Sequence, residues 1–136
     1  MKITAQRETF RLAETFSISR GSKTEAEVIT VTLETGGVVG RGECVPYGRY
    51  GESLASVGAE IEGYSGPMTH EALAAHLPAG AARNALDAAL WDWQAKRAGC
   101  RIWTLAGLEP PRPLITAFTI TLNSPCLLYT SDAADE

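Results

Sequence analysis

Three β-type runs, then three helical ones, then one late β-type run predict an α+β fold. Composition supplies the first sign: residues 28–33, Val-Ile-Thr-Val-Thr-Leu, are almost wholly β-branched, as a half-buried strand favours. The second is Gly36-Gly37, whose tolerance of positive φ suits a tight hairpin into residues 38–45. The third is the recurrence of Ala82, Leu86, Ala89, Leu90 and Trp93 at three and four residues, which marks one apolar helix face.

The elements follow in order. Residues 3–12 interleave polar and apolar positions and make the first strand; residues 25–34 make the second and 38–45 the third. Together they form a three-stranded antiparallel meander. Pro46 lacks an N–H for the ladder and ends the third strand. Ser53 caps a helix through Glu62, stopped by Gly63 and the Ser65-Gly66-Pro67 breaker. Thr69 caps a short helix through Leu77, with Pro78 and Gly80 beyond it. The third helix starts at Ala81, places Lys96 and Arg97 where cations suit the helix dipole, and stops at Gly99. A three-helix bundle against the meander is the expected layer arrangement. Pro110-Pro111-Arg112-Pro113 is a stiff linker into residues 114–122, the last β-type run. The expected division is residues 1–113 as one domain, 114–125 as the start of another, and 126–136 as a non-native tail.

At 136 residues, 45% apolar and 21% charged, the chain is composed like an ordinary globular domain. No apolar run reaches the roughly 20 residues a membrane span needs, so no membrane partner is expected. Residues 1–14 alternate without a signal-peptide core, and the default compartment is the cytoplasm. Cys44, Cys100 and Cys126 are too scattered for a disulfide framework or a zinc site. The formal charge of −4 is concentrated at one end, because Asp132, Asp135 and Glu136 leave the rest near neutrality. No basic stripe for nucleic acid is present. Residues 126–136, Cys-Leu-Leu-Tyr-Thr-Ser-Asp-Ala-Ala-Asp-Glu, resemble translated read-through of a sequencing adapter, and helix and strand periodicity lapse there.

Several motifs are excluded. Gly40-Arg41-Gly42 opens like a dinucleotide fingerprint, but Val45 holds the third glycine position and the segment closes a strand. No P-loop, nucleophile elbow or zinc-protease motif occurs. His70 and His76 sit on short amphipathic ground and are expected to be solvated.

Four segments carry a family resemblance. Phe16-Ser17-Ile18-Ser19-Arg20-Gly21 resembles the first mobile loop of the N-terminal capping domain of the enolase superfamily. The residues from Gly42 to Ser53, with Tyr47-Gly48-Arg49-Tyr50-Gly51-Glu52-Ser53 at their centre, resemble its second loop. Ala82-Arg83-Asn84-Ala85-Leu86-Asp87-Ala88-Ala89-Leu90-Trp91-Asp92, with Lys96 and Gly99, resembles the superfamily's shared helix pattern. Thr116-Ala117-Phe118-Thr119-Ile120-Thr121-Leu122 resembles the first barrel strand of the dipeptide epimerase branch.

The resemblance implies an enolase-like cap joined to a (β/α) barrel that this chain barely begins. It also implies 1,1-proton transfer at the α-carbon of a dipeptide such as L-Ala-D/L-Glu. Two opposed lysines move the proton, and Mg²⁺ held by carboxylates stabilises the enolate. None of these groups matches a residue here, so no catalytic or metal residue is expected in this chain. The complete protein is expected to use Mg²⁺, to act on a small dipeptide and to be a homo-oligomer. Substrate recognition is what remains. Arg20 is expected to pair with an acidic substrate side chain, since a guanidinium binds carboxylate bidentately. Phe16, Tyr47 and Tyr50 are expected to wall the pocket, and Thr119 to hydrogen-bond the dipeptide backbone. Glu43 is expected to hold the second loop through backbone N–H groups, while Asp87 and Trp91 are expected to be structural. Another racemase or cycloisomerase of the superfamily is the alternative, and a non-catalytic binding module is a third.

Overall fold

The computed structural model describes residues 1–18 and 21–117. Strands β1 (Lys2–Ile18), β2 (Gly21–Thr35) and β3 (Val38–Cys44) form an antiparallel sheet in the order β1-β2-β3. Helices α1 (Leu54–Gly63), α2 (His70–His76), α3 (Ala81–Ala98) and the single-turn α4 (Ile102–Leu105) follow. The expected meander and three main helices are therefore present, in the expected α+β order. The chain divides into two compact units, one of Met1–Glu8 with Glu27–Pro111 and one of Thr9–Ala26 with Arg112–Glu136.

Two strands are longer than their apolar pattern predicts. β1 continues past Leu12 and β2 begins before Glu25, through residues that are mostly exposed. Ladder hydrogen bonds extend a strand without any burial, so such extensions leave no alternation to read. One consequence is a correction: Phe16, Ser17 and Ile18 are strand residues, and not part of a loop. At the end of this ribbon Ser17 Oγ and Ser22 Oγ lie 2.7 Å apart. The turn at Gly36 and Gly37 has φ of 61° and 77°, the left-handed region that glycine enters without steric cost.

The core lies on one face of the sheet. Ile29, Val31 and Leu33 of β2 are essentially fully buried, and they stand in register with Cys44, Gly42 and Gly40 of β3. The alternate pairs Thr30 with Glu43 and Thr32 with Arg41 occupy the other face. Val57 and Ile61 of α1, Leu73 and Leu77 of α2, and Leu86 and Leu90 of α3 complete the core. Each such buried aliphatic side chain contributes about 1.5–3 kcal/mol relative to exposure.

α3 lies directly against β3, and glycine makes that possible. A Cβ on Gly42 would collide with the Ala85 carbonyl oxygen and come within 2.7 Å of the Ala89 amide nitrogen. On Gly40 it would meet Trp93 Cβ at 2.5 Å. Polar side chains of α3 then close the strand's backbone groups. Asp92 Oδ2 accepts from the Arg41 N–H at 2.7 Å, and Lys96 Nζ donates to the Val39 carbonyl at 3.1 Å and to Asp92. Asn84 Nδ2 reaches the Glu43 carbonyl at 3.4 Å. The helix thus covers β3's outward-facing groups, which protects an edge from pairing with another chain. Lys96 serves this tie as well as the helix dipole, while Arg97 lies over the Trp93 ring, 5.1 Å from its centroid.

The caps are as expected. Ser53 Oγ accepts from the Ser56 N–H in a reciprocal capping box, and Thr69 Oγ1 accepts from the Ala72 N–H. His76 is exposed as expected, but His70 is not. His70 Nδ1 is 2.6 Å from Asp87 Oδ1, its Nε2 is 3.1 Å from Gln94 Oε1, and its ring is 4.4 Å from that of Trp91. His76 Nδ1 bonds the Ala72 carbonyl of its own helix at 2.8 Å. The expectation of solvated histidines fails for His70, because the one-turn offsets of Asp87, Trp91 and Gln94 place all three beside α2. Asp87 and Trp91 thereby serve the packing of α2 on α3, a structural role.

Two predictions follow from this packing. Gly42→Ala should lower stability by about 1–3 kcal/mol or more in urea unfolding, because helix backbone must move away from the new methyl group. Gly58→Ala is the contrast: nothing lies within 4 Å of its added Cβ, so helix propensity should raise stability by up to about 1 kcal/mol. Similar losses in both variants would contradict a packing role for Gly42.

His70 sets a pH dependence. Burial opposes its charged form, but acceptors at both ring nitrogens and the nearby charges of Asp87 and Glu71 raise its pKa above the ordinary 6.5. A folded-state pKa above the unfolded one stabilises fully below about pH 6.5, and the gain is lost as pH rises through the folded value. The thermal midpoint of the wild type should therefore exceed that of His70→Gln most clearly at pH 5.5–6, with the gap narrowing towards pH 8–9. A gap that stays constant across that range would refute the linkage.

Candidate functional site

The residues between β3 and α1 are Val45, Pro46, Tyr47 and the turn that follows. Pro46 releases the chain from the sheet, and Gly48–Tyr50 form one 3₁₀ turn in which the Tyr50 N–H donates to the Tyr47 carbonyl at 2.9 Å. Gly51 closes it in the left-handed conformation at φ 77°, its N–H donating to Gly48 at 3.1 Å. This turn sets the two tyrosine rings 5.7 Å apart and tilted by 55°, a favourable aromatic pair. Tyr50 is 76% exposed and Tyr47 38%, so the pair is open to solvent.

Glu52 holds the turn in place. Its Oε2 accepts from the Tyr47 N–H at 3.1 Å and its Oε1 from the Ala81 N–H at 2.7 Å. Ala81 opens α3, whose N-cap, Gly80, has no side chain to satisfy that amide. A carboxylate at this end also meets the positive pole of the helix dipole, worth about 0.3–1 kcal/mol. The expectation for Glu43 is thus corrected: Glu52 receives the loop's N–H group, and Glu43 is exposed on β3.

Between the turn and the start of α3 opens a cleft of about 460 Å³. Cys44 lies at its base, Tyr47, Tyr50 and Glu52 form one side, and Gly80, Ala81 and Asn84 form the other. Burial first, then the charges of Glu52 and Glu43, push the Cys44 thiol up to about 11. A thiol so protonated is a poor nucleophile at neutral pH, and Cys44 acts as a small apolar filler. A second cleft of about 430 Å³ is lined by His70, Ala74, Gly80, Arg83, Asn84 and Asp87.

Of the residues expected to bind substrate, Tyr47 and Tyr50 are brought together. Phe16 is half-buried on β1, in the other compact unit. Arg20 and Thr119 lie outside the described residues. Glu52 and Asn84 were missed as site-forming residues. Their partners lie 29 and 41 positions away along the chain, and no local pattern encodes contacts at such separations. Among the described residues, no group of three or more His, Cys, Asp or Glu is arranged to hold a metal ion. No helix among them is long and apolar enough to cross a membrane.

Known proteins match this architecture closely. The L-Ala-D/L-Glu epimerase of Escherichia coli strain K12 is 48% identical over 122 residues, covering 87% of this chain and 38% of that protein. An enolase family member from Agrobacterium tumefaciens with homology to dipeptide epimerases was crystallised with sodium and L-Ala-L-Glu. It superposes with a TM-score of 0.84 at 42% identity, over 97% of this chain and 42% of its own. The dipeptide epimerase of Methylococcus capsulatus, in complex with Mg and L-Arg-D-Lys, superposes with a TM-score of 0.81 at 27% identity, over 98% and 41%. The chain therefore spans about two-fifths of the length of the relatives it matches. The N-terminal domain model of mandelate racemase and muconate lactonizing enzyme matches residues 1–107, and the chain belongs to that family of the enolase superfamily.

Proposed function

We propose that this chain is the specificity-bearing cap of a cytoplasmic, homo-oligomeric dipeptide epimerase that acts on Ala-Glu-like dipeptides. The observation that carries this is the 48% identity, over 122 residues, to an L-Ala-D/L-Glu epimerase. The aromatic turn at Tyr47 and Tyr50, standing over an open cleft, supports it. Tyr47 and Tyr50 offer flat apolar faces to a small peptide. Phe16 adds a third aromatic surface, and Thr119 a hydroxyl for the peptide backbone. Arg20 supplies the charge that selects an acidic side chain, through paired N–H donors matched to a carboxylate.

The described residues do not form a Mg²⁺ site. In this reading Mg²⁺, present in the Methylococcus capsulatus dipeptide epimerase structure, and the proton-transferring lysines belong to the barrel that accompanies such a cap. What the cap contributes is binding and the exclusion of water at the substrate's distal end. An interaction there acts on discrimination between dipeptides.

The test has two parts. The 136-residue chain alone should not exchange the α-proton of Ala-Glu in deuterated water with Mg²⁺, whereas the protein that continues into the barrel should. In that longer protein Arg20→Met should raise KM for acidic dipeptides by roughly tenfold to a hundredfold, the loss of a charge-assisted contact. Neutral dipeptides should be affected far less. Exchange by the isolated chain would overturn the division of labour, and equal losses on Ala-Glu and Ala-Leu would remove Arg20 from specificity.

A further inference from the structure

The aromatic turn has few anchors of its own. Among the described residues, the backbone–backbone hydrogen bonds of residues 47–51 are the two that close the 3₁₀ turn, and neither ties it to the rest of the domain. Tyr50 is 76% exposed, so packing does not anchor it either. The tie is made by one side chain. Glu52 divides its carboxylate between the turn, at the Tyr47 N–H, and the first residue of α3, at the Ala81 N–H. The two oxygens serve different elements, so losing the side chain frees both together.

Gly80 fits this arrangement closely. Its φ of 173° and ψ of −174° are extended, a conformation open to any residue, so backbone strain does not require glycine here. Space does. A Cβ at position 80 would stand 2.8 Å from Glu52 Oε1, and among the described residues, its chain neighbours aside, no atom outside the Glu52 carboxyl group lies within 4 Å of it. The absence of a side chain at the helix N-cap thus lets a carboxylate from 28 residues earlier take the capping position.

We propose that Glu52 is the positioning residue of the Tyr47–Tyr50 wall: its carboxylate latches the turn to the N-terminus of α3, and Gly80 keeps the latch open to it. Through this latch the position of the aromatic pair over the cleft depends on the start of α3. The consequence for dipeptide selection rests on the function proposed above. The latch itself does not, and it is measurable on this chain without any catalysis.

Trypsin offers a direct measure, because Arg49 is exposed at the middle of the turn and Arg101 is exposed just before α4. Cleavage after Arg49 requires the turn to open, and its rate follows the population of the open form. Cleavage after Arg101 in the same digest reports general loosening. Glu52→Ala should speed the first by roughly tenfold to a hundredfold, the range for lost charge-assisted hydrogen bonds, and leave the second unchanged. Glu52→Gln keeps one good acceptor and should fall between wild type and Glu52→Ala. Gly80→Ala should displace the carboxylate and speed Arg49 cleavage by less than Glu52→Ala does, and adding it to Glu52→Ala should change nothing more, because its obstacle is gone. Amide spectra of Glu52→Gln should show shifts concentrated at Tyr47 and Ala81. Unchanged Arg49 cleavage, additive effects of the two alanine substitutions, or a parallel rise at Arg49 and Arg101 would each overturn the latch. If the latch holds while the longer protein shows no epimerase activity, the functional proposal fails and the positioning role stands.

Discussion

The close approach of α3 to β3 is the constraint on which the rest of the first compact unit depends. Gly40 and Gly42 remove two side chains from the strand face, and Ala85 and Ala89 present only methyl groups from the helix, so backbone nearly meets backbone. Leu86 and Leu90, on the adjoining strip of the helix, complete the core with the β2 aliphatics and with α1 and α2. At this separation the polar side chains of α3 can reach the strand. Asn84, Asp92 and Lys96 meet backbone groups of residues 43, 41 and 39, alternate positions that point to the same edge. A wider helix–strand spacing would remove those hydrogen bonds as well as the apolar contact.

From this contact the site inherits its geometry. β3 ends at Cys44 and α3 begins at Ala81, so the alignment of strand and helix brings the chain after the first beside the start of the second. Glu52 spans the gap between them, and the cleft is the space left around it. Chemistry in the cleft is correspondingly passive. Its thiol is held protonated by burial and by two neighbouring carboxylates, and its acid is engaged with backbone amides. What the cleft offers a ligand is shape and aromatic surface, which suits recognition.

The second cluster on α3 has a different role. His70, Asp87, Trp91 and Gln94 join a seven-residue helix, too short to be stable alone, to a long one. Each of these residues is polar or aromatic and half-exposed, and the interaction is a seam at the rim of the core. Trp93, by contrast, turns inward, and its Nε1 has no hydrogen-bond partner among the described residues. Its Cβ lies beside Gly40, and its ring lies beneath Arg97.

Local chemistry made much of this protein legible from its sequence. The strand order, the Gly36-Gly37 hairpin, the Ser53 and Thr69 caps and the apolar face of α3 each rest on residues within a few positions of one another. The aromatic segment of Tyr47, Tyr50 and Gly51 is legible through the family resemblance alone. Tertiary structure alone decided the rest. The outer halves of β1 and β2 are held by ladder hydrogen bonds that leave no hydrophobic pattern, so the strand position of Phe16 has no local signal. The pairing of His70 has no local signal either, because its partners lie 17 and 24 residues away. The role of Glu52 is hidden from local pattern, because one of its two amides belongs to a helix that begins 29 residues later. A sequence pattern reports which residues prefer burial and which conformations the backbone prefers. Which polar groups meet across the fold is set only when the layers pack and each backbone amide needs a partner.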